Sequence, residues 1–160
     1  MTSLRTPVCV LAAGALALGL SACTPPSATS TTGDSETVAS AVVLAESDAG
    51  GRAFELDRED DGTWEVHVAA NDRGIEVRVS AEGDRVQSRT DEDALDADDR
   101  EALTAAVTTM ADAVRIAVAS HGGAGVEEVS IERSGDQTAW QVGFDGGDEV
   151  AVSLADGSVD

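Results

Sequence analysis

Hydrophobic and polar positions along the chain fall into two runs of the same kind, each a helix-spaced stretch followed by three alternating ones. Within 37–47, Val38, Ala41, Val42 and Ala45 recur at helical spacing, and Gly50-Gly51 marks the stop. Phe54 and Leu56 then flank Glu55; Trp64, Val66 and Val68 flank Glu65 and His67; Ile75, Val77 and Val79 flank Glu76 and Arg78. Period two with charges between predicts strands with one buried face and one wet face. Glu59-Asp60-Asp61-Gly62 and Asn71-Asp72-Arg73-Gly74 supply hairpin chemistry, because Gly, Asn and Asp tolerate positive φ.

The second run starts near Asp98, a capping residue with Glu101 three positions on. Leu103, Val107, Met110, Val114 and Ala117 or Val118 form one apolar stripe ended by Gly122-Gly123, which predicts a single helix about 34 Å long at 1.5 Å per residue. Strands follow at Val129 and Ile131, at Trp140, Val142 and Phe144, and at Val150, Val152 and Leu154. Trp64-Glu-Val-His-Val and Trp140-Gln-Val-Gly-Phe hold the same place in each run, and each run closes on a glycine turn and a valine (Gly83 to Val86, Gly157 to Val159). The expected fold is therefore α+β: two tandem units over 37–88 and 98–160, each one helix packed on a three-stranded antiparallel sheet. The acidic stretch 89–97 reads as their linker. Units of about 50–60 residues bury only a marginal core alone. The two should pack together, through a shared sheet or back to back with pseudo-twofold symmetry.

Composition adds a location. Residues 1–22 place one positive charge, Arg5, ahead of an uncharged run from Val8 to Leu20 and then small residues, the order of a secretory signal peptide. The run is short of the roughly 20 residues a membrane span needs. Leu20-Ser21-Ala22-Cys23 resembles the bacterial lipobox: Leu20, Ser21 and Ala22 form the signal-peptidase recognition site, with small residues at 21 and 22 letting the peptidase close on the backbone. The thiol of Cys23 would take diacylglycerol by a thioether, and acyl chains such as palmitate would anchor the protein where a single chain is marginal. The other cysteine, Cys9, leaves with the signal. Residues 23–36 carry no large apolar side chain and are rich in Pro, Ser and Thr, which reads as a disordered tether reaching at most ~45 Å. The expected location is the extracytoplasmic face of the cell membrane.

The chain holds 31 acids against 10 basic residues, all of them arginine, and its formal net charge is −21. That charge opposes binding to nucleic acid or to anionic headgroups, so the acidic body should stand off the surface that anchors it.

Taken together, the Ala- and Val-rich helix, the glycine turn, Phe54-Glu-Leu-Asp, Asp61-Gly-Thr-Trp-Glu-Val-His-Val and Ile75-Glu-Val-Arg-Val-Ser resemble the PepSY domain. That domain occurs in secreted and membrane-attached bacterial proteins and in propeptides of thermolysin-like metalloproteases. The resemblance spans both runs. With the arginine bias and the segment Leu95-Asp-Ala-Asp-Asp-Arg-Glu-Ala-Leu103, it is closest in type to tandem-PepSY lipoproteins of actinobacteria. It implies a non-catalytic module that binds or restrains proteases and other envelope proteins, and it carries no invariant chemical residue. The sequence departs from the pattern at Ala69-Ala70-Asn71-Asp72-Arg73, where a shorter turn is usual, and has no tyrosine ahead of the Glu-Val strand.

Chemistry-bearing patterns are few. His67 reads as an exposed residue on the wet face of its strand, with Gly143 as its counterpart, and His121 as a capping or exposed residue at a helix carboxyl end, where the dipole favours a cation. No Gly-x-Ser-x-Gly, His-Glu-x-x-His or phosphate-binding glycine loop occurs, so no enzyme and no cofactor is expected. Asp57, Glu59 and Asp61, with Gly62 sixth, begin like a calcium loop. The twelfth position is Val68 instead of a bidentate Glu, so a hairpin turn is the better reading and the three are only weak metal candidates. Three functions remain open: binding another envelope protein, holding a divalent cation or cationic ligand on the acidic face, and inhibiting a secreted protease.

Overall fold

The computed structural model describes residues 30–123, 125–135 and 137–159. The segment read as a signal peptide, with Leu20, Ser21, Ala22 and Cys23, and most of the segment read as a tether lie outside them. The architecture is α+β, two layers deep. Helix α1 (Ser30–Ala49) leads into strands β1 (Arg52–Arg58), β2 (Trp64–Ala70), β3 (Arg73–Val79) and β4 (Val86–Ala94). Helices α2 (Ala97–Ala105) and α3 (Met110–His121) follow, then β5 (Val126–Ser134), β6 (Gln137–Phe144) and β7 (Glu149–Ser153). All seven strands join one antiparallel sheet in the order β4-β3-β2-β1-β5-β6-β7. Of the two arrangements expected, the shared sheet is the one observed, closed at its centre by Leu56 opposite Val129 and Asp57 opposite Glu128.

One face of this sheet is covered. Val38, Ala41, Val42 and Ala45 of α1 are buried, as are Met110, Ala113, Val114, Ala117 and Val118 of α3. The small side chains let the two helices lie side by side over the strands. Val66, Val68, Val77, Val79, Val129, Val142 and Val152 meet them from below. Trp64 and Trp140 are both buried, each with its indole N–H donated to a backbone carbonyl, Ala81 at 3.3 Å and Thr108 at 3.0 Å. The tryptophans therefore serve the core, as their phase predicts.

Three expectations change. Segment 89–97 is not a linker through its length: residues 86–94 form β4, an edge strand whose residues are mostly exposed. A strand wet on both faces shows no apolar alternation, so the pattern could not reveal it. The first half consequently contributes four strands, and the fold does not divide into two equal units of one helix and three strands. The helix expected over 37–47 begins earlier, at Ser30, inside the segment read as a tether.

The long helix expected from Asp98 is two helices bent by 75°. Asp96, not Asp98, caps α2, accepting from the N–H of Asp98 at 2.8 Å. Thr109 caps α3, its hydroxyl accepting from the N–H of Asp112. At the break, the N–H groups of Val107 and Thr108 both donate to the carbonyl of Leu154, and Val107, expected on the apolar stripe, is 76% exposed. Among the described residues no single helix is long and apolar enough to cross a membrane.

Candidate functional site

Among the described residues no helix crosses the centre of the second face of the sheet, which is polar by register. The first cross-strand row on it runs Arg78, Glu65, Asp57, Glu128, Gly143, Glu149, each opposite the next across five consecutive strand pairs. A second row runs Thr90, Glu76, His67, Glu55. Buried apolar residues close the other side, Leu56 in β1, Val66 and Val68 in β2, Val77 and Val79 in β3, Val129 in β5, Val142 in β6 and Val152 in β7, so the polar positions of these strands point outward.

A β-bulge moves one large apolar side chain onto this face. Ala53 pairs with Val68 and Glu55 with His67, leaving Phe54 as the extra residue. The sequence pattern placed Phe54 beside Leu56 on the buried face; the inserted residue breaks the period of two and sets Phe54 next to His67, ring centroids 5.9 Å apart. β5 has the same irregularity between Val126 and Glu128, where Glu127 takes the place Phe54 holds in β1. The bulges curve the sheet, and two grooves open on the face. One of about 480 Å³ runs over β5, β6 and β7, floored by Ser130, Gln141, Gly143 and Ala151 between Glu128 and Glu149. The other, about 540 Å³, lies between Phe54, Gly74 and the acidic end of β4.

His67 is the most constrained polar group on the face. Its side chain is 16% exposed, Nδ1 lies 2.9 Å from Glu92 of the edge strand, and Nε2 lies 3.5 Å from Glu65. Gly74 is what lets Glu92 reach in: a Cβ there would stand 2.7 Å from its carboxylate. Burial by itself lowers the imidazole pKa, but the hydrogen bond and charge of Glu92, with Glu55 and Glu65 behind it, outweigh burial and lift it above the ordinary value of 6.5. Asp57 is pushed up from its ordinary value, first by burial, then by Glu55 and Glu59, with His67 partly offsetting. Sequence reasoning placed His67 on the wet face beside Glu65 and missed Glu92, which sat in a segment with no strand signal.

The raised His67 pKa gives a pH prediction with a definite sign. The folded state holds its proton more tightly than the unfolded chain, so the contribution to stability is full below about pH 6.5 and is lost as pH rises through the higher folded value. Denaturant melts of the wild type should weaken across that window, and those of His67→Gln should lose this component of the slope. An unchanged slope would show that the Glu92 contact contributes nothing.

The weak metal candidates are not gathered. Glu59 and Asp61 close the β1–β2 hairpin, where Gly62 adopts φ 82°. Both carboxylates lie 3.5 Å from Arg78, and Asp61 also accepts from the hydroxyl and N–H of Thr63. Asp57 stands instead on the strand, in the row described above. Among the described residues no three His, Cys, Asp or Glu side chains converge into a metal-binding group. At the other hairpin, Asn71 (φ 52°) and Asp72 (φ 66°) make the turn, leaving Gly74 inside β3. His121 ends α3 before the left-handed Gly122 and stacks on Phe144 with centroids 4.3 Å apart.

No family model and no curated protein matches the chain. Among solved structures, one described as a "putative lipoprotein" from Clostridium difficile 630 is similar over 75% of this chain and 87% of its own, at 18% identity and a TM-score of 0.45.

Proposed function

We propose that the protein is a non-catalytic, membrane-anchored extracytoplasmic lipoprotein, held by diacylglycerol on Cys23, whose two PepSY-like halves bind or restrain another envelope protein. The single observation behind this reading is the uncovered sheet face, grooved and charged, on a chain whose amino terminus reads as a lipoprotein signal. The PepSY and actinobacterial assignment rests on the residue pattern quoted above. The shared sheet, with matching bulges in β1 and β5 and matching tryptophans in β2 and β6, supports two related halves.

The face is a better docking surface than the sheet edges. Asp91 and Asp93 line the outer edge strand β4, and charge on an edge discourages strand addition. The other edge, β7, is partly closed by the bridge from Val152 to Val159. Restraint of a secreted protease is the narrower form of the same reading. A cationic ligand is the second reading, favoured by the row Glu65, Asp57, Glu128.

The test is affinity capture of the tagged, lipidated full chain from its own membranes. A protein recovered repeatedly with the wild type supports the reading, and if it is a protease, dose-dependent inhibition identifies restraint as the mode. No enriched protein in repeated captures would overturn it.

A further inference from the structure

We infer that the open face of the sheet receives an extended, arginine- or lysine-bearing segment of a partner protein, laid over β1, β5, β6 and β7. This rests on the proposed docking role and names the chemistry of the occupant. Shape comes first. Gly143, Ala139 and Ala151 lower the floor of the groove over β6 and β7 on either side of Gln141, which donates to Glu149 at 2.7 Å, so a backbone can approach the sheet there. Phe54, displaced onto the polar face by its bulge, offers an apolar surface at the far side.

Charge selects the occupant. Asp57 is directly opposite two other carboxylates, Glu65 and Glu128, and like charges directly opposite one another are destabilising. The cation in their row, Arg78, is turned to the hairpin, where it meets Glu59, Asp61 and Thr63. His67 is engaged by Glu92 and Glu65. The fold thus sets carboxylates directly opposite one another across its centre, and Arg133, the arginine lining the β5–β7 groove, is paired with Asp99. A guanidinium or ammonium group supplied from outside would relieve the repulsion. Alternating cationic residues would meet the row because side chains of an extended segment recur on one face every second position.

The test uses the full chain in detergent and a synthetic alternating Arg-Thr peptide, followed by calorimetry. The variant is Asp57→Asn with Glu128→Gln; the charge-matched control is Asp60→Asn with Glu82→Gln, both at exposed turns. The wild type should bind the peptide. The Asp57/Glu128 variant should bind about tenfold more weakly or worse while melting at a higher temperature, since the repulsion is gone; the control should bind like the wild type. Four results would overturn the inference: no peptide binding, equal weakening by the control, a fall in melting temperature of the double variant, or equal affinity for spermine or calcium ion alone. If membrane capture still recovers a partner with the Asp57/Glu128 variant at wild-type yield, the docking role survives and this inference fails. If capture recovers none with the wild type, the docking role itself has failed.

Discussion

Trp140→Ala should be the most damaging single substitution in the folded body, costing about 3–5 kcal/mol. The indole is fully buried and sits where three parts of the chain meet. Strand β6 carries it, Ile131 of β5 and Val152 of β7 stand opposite it on either side, and its N–H donates at 3.0 Å to Thr108 in the break between α2 and α3. Removing it opens a cavity and strips that carbonyl of its donor. Domains of this size have about 5–15 kcal/mol of stability in total, so the variant should unfold at markedly lower denaturant. Trp140→Phe separates the two contributions: it keeps most of the apolar volume and loses the hydrogen bond, which should cost about 1–3 kcal/mol. Equal losses for the two variants would show that the bond to Thr108, not packing, carries the effect.

Cys23→Ala should move the protein out of the membrane fraction altogether. Lipid anchoring contributes about 0.8 kcal/mol per buried CH₂; among the described residues no single helix is long and apolar enough to cross a membrane, and the strongly acidic chain is repelled by anionic headgroups. Fractionation followed by mass spectrometry checks both halves of the expectation, a soluble protein and the absence of the lipid mass. Retention of the alanine variant on membranes would show that the anchor lies elsewhere.

The parts of this fold legible in the sequence are those where a single face is buried. Val66, Val68, Val77 and Val79 alternate with Glu65, His67, Glu76 and Arg78, and the strands form where that alternation places them. The parts that were not legible involve a second influence acting on the same residues. Phe54 and Leu56 look like a buried pair until an inserted residue shifts the register. Residues 86–94 carry no buried face strong enough to mark β4. Val107 continues an apolar stripe, yet Leu154 and Trp140 capture the backbone around it and turn it to solvent. The candidate site suffers most from this, because Phe54 and Glu92 both come from such places. The outward positions of His67 and Glu65 follow directly from the period of two, whereas the joining of Asp57 to Glu128 comes from the β1–β5 pairing, which periodicity does not give.

The central claim, that the open sheet face is where a partner sits, is tested most directly by photo-crosslinking in living cells. One photoreactive residue is placed at Ala151, in the groove floor; another replaces Val43, on the outer side of α1, where the side chain is 51% exposed. The account predicts a recurrent protein adduct from position 151 and none from position 43. An adduct from position 43 with none from 151 would contradict it and move the binding surface to the helical layer.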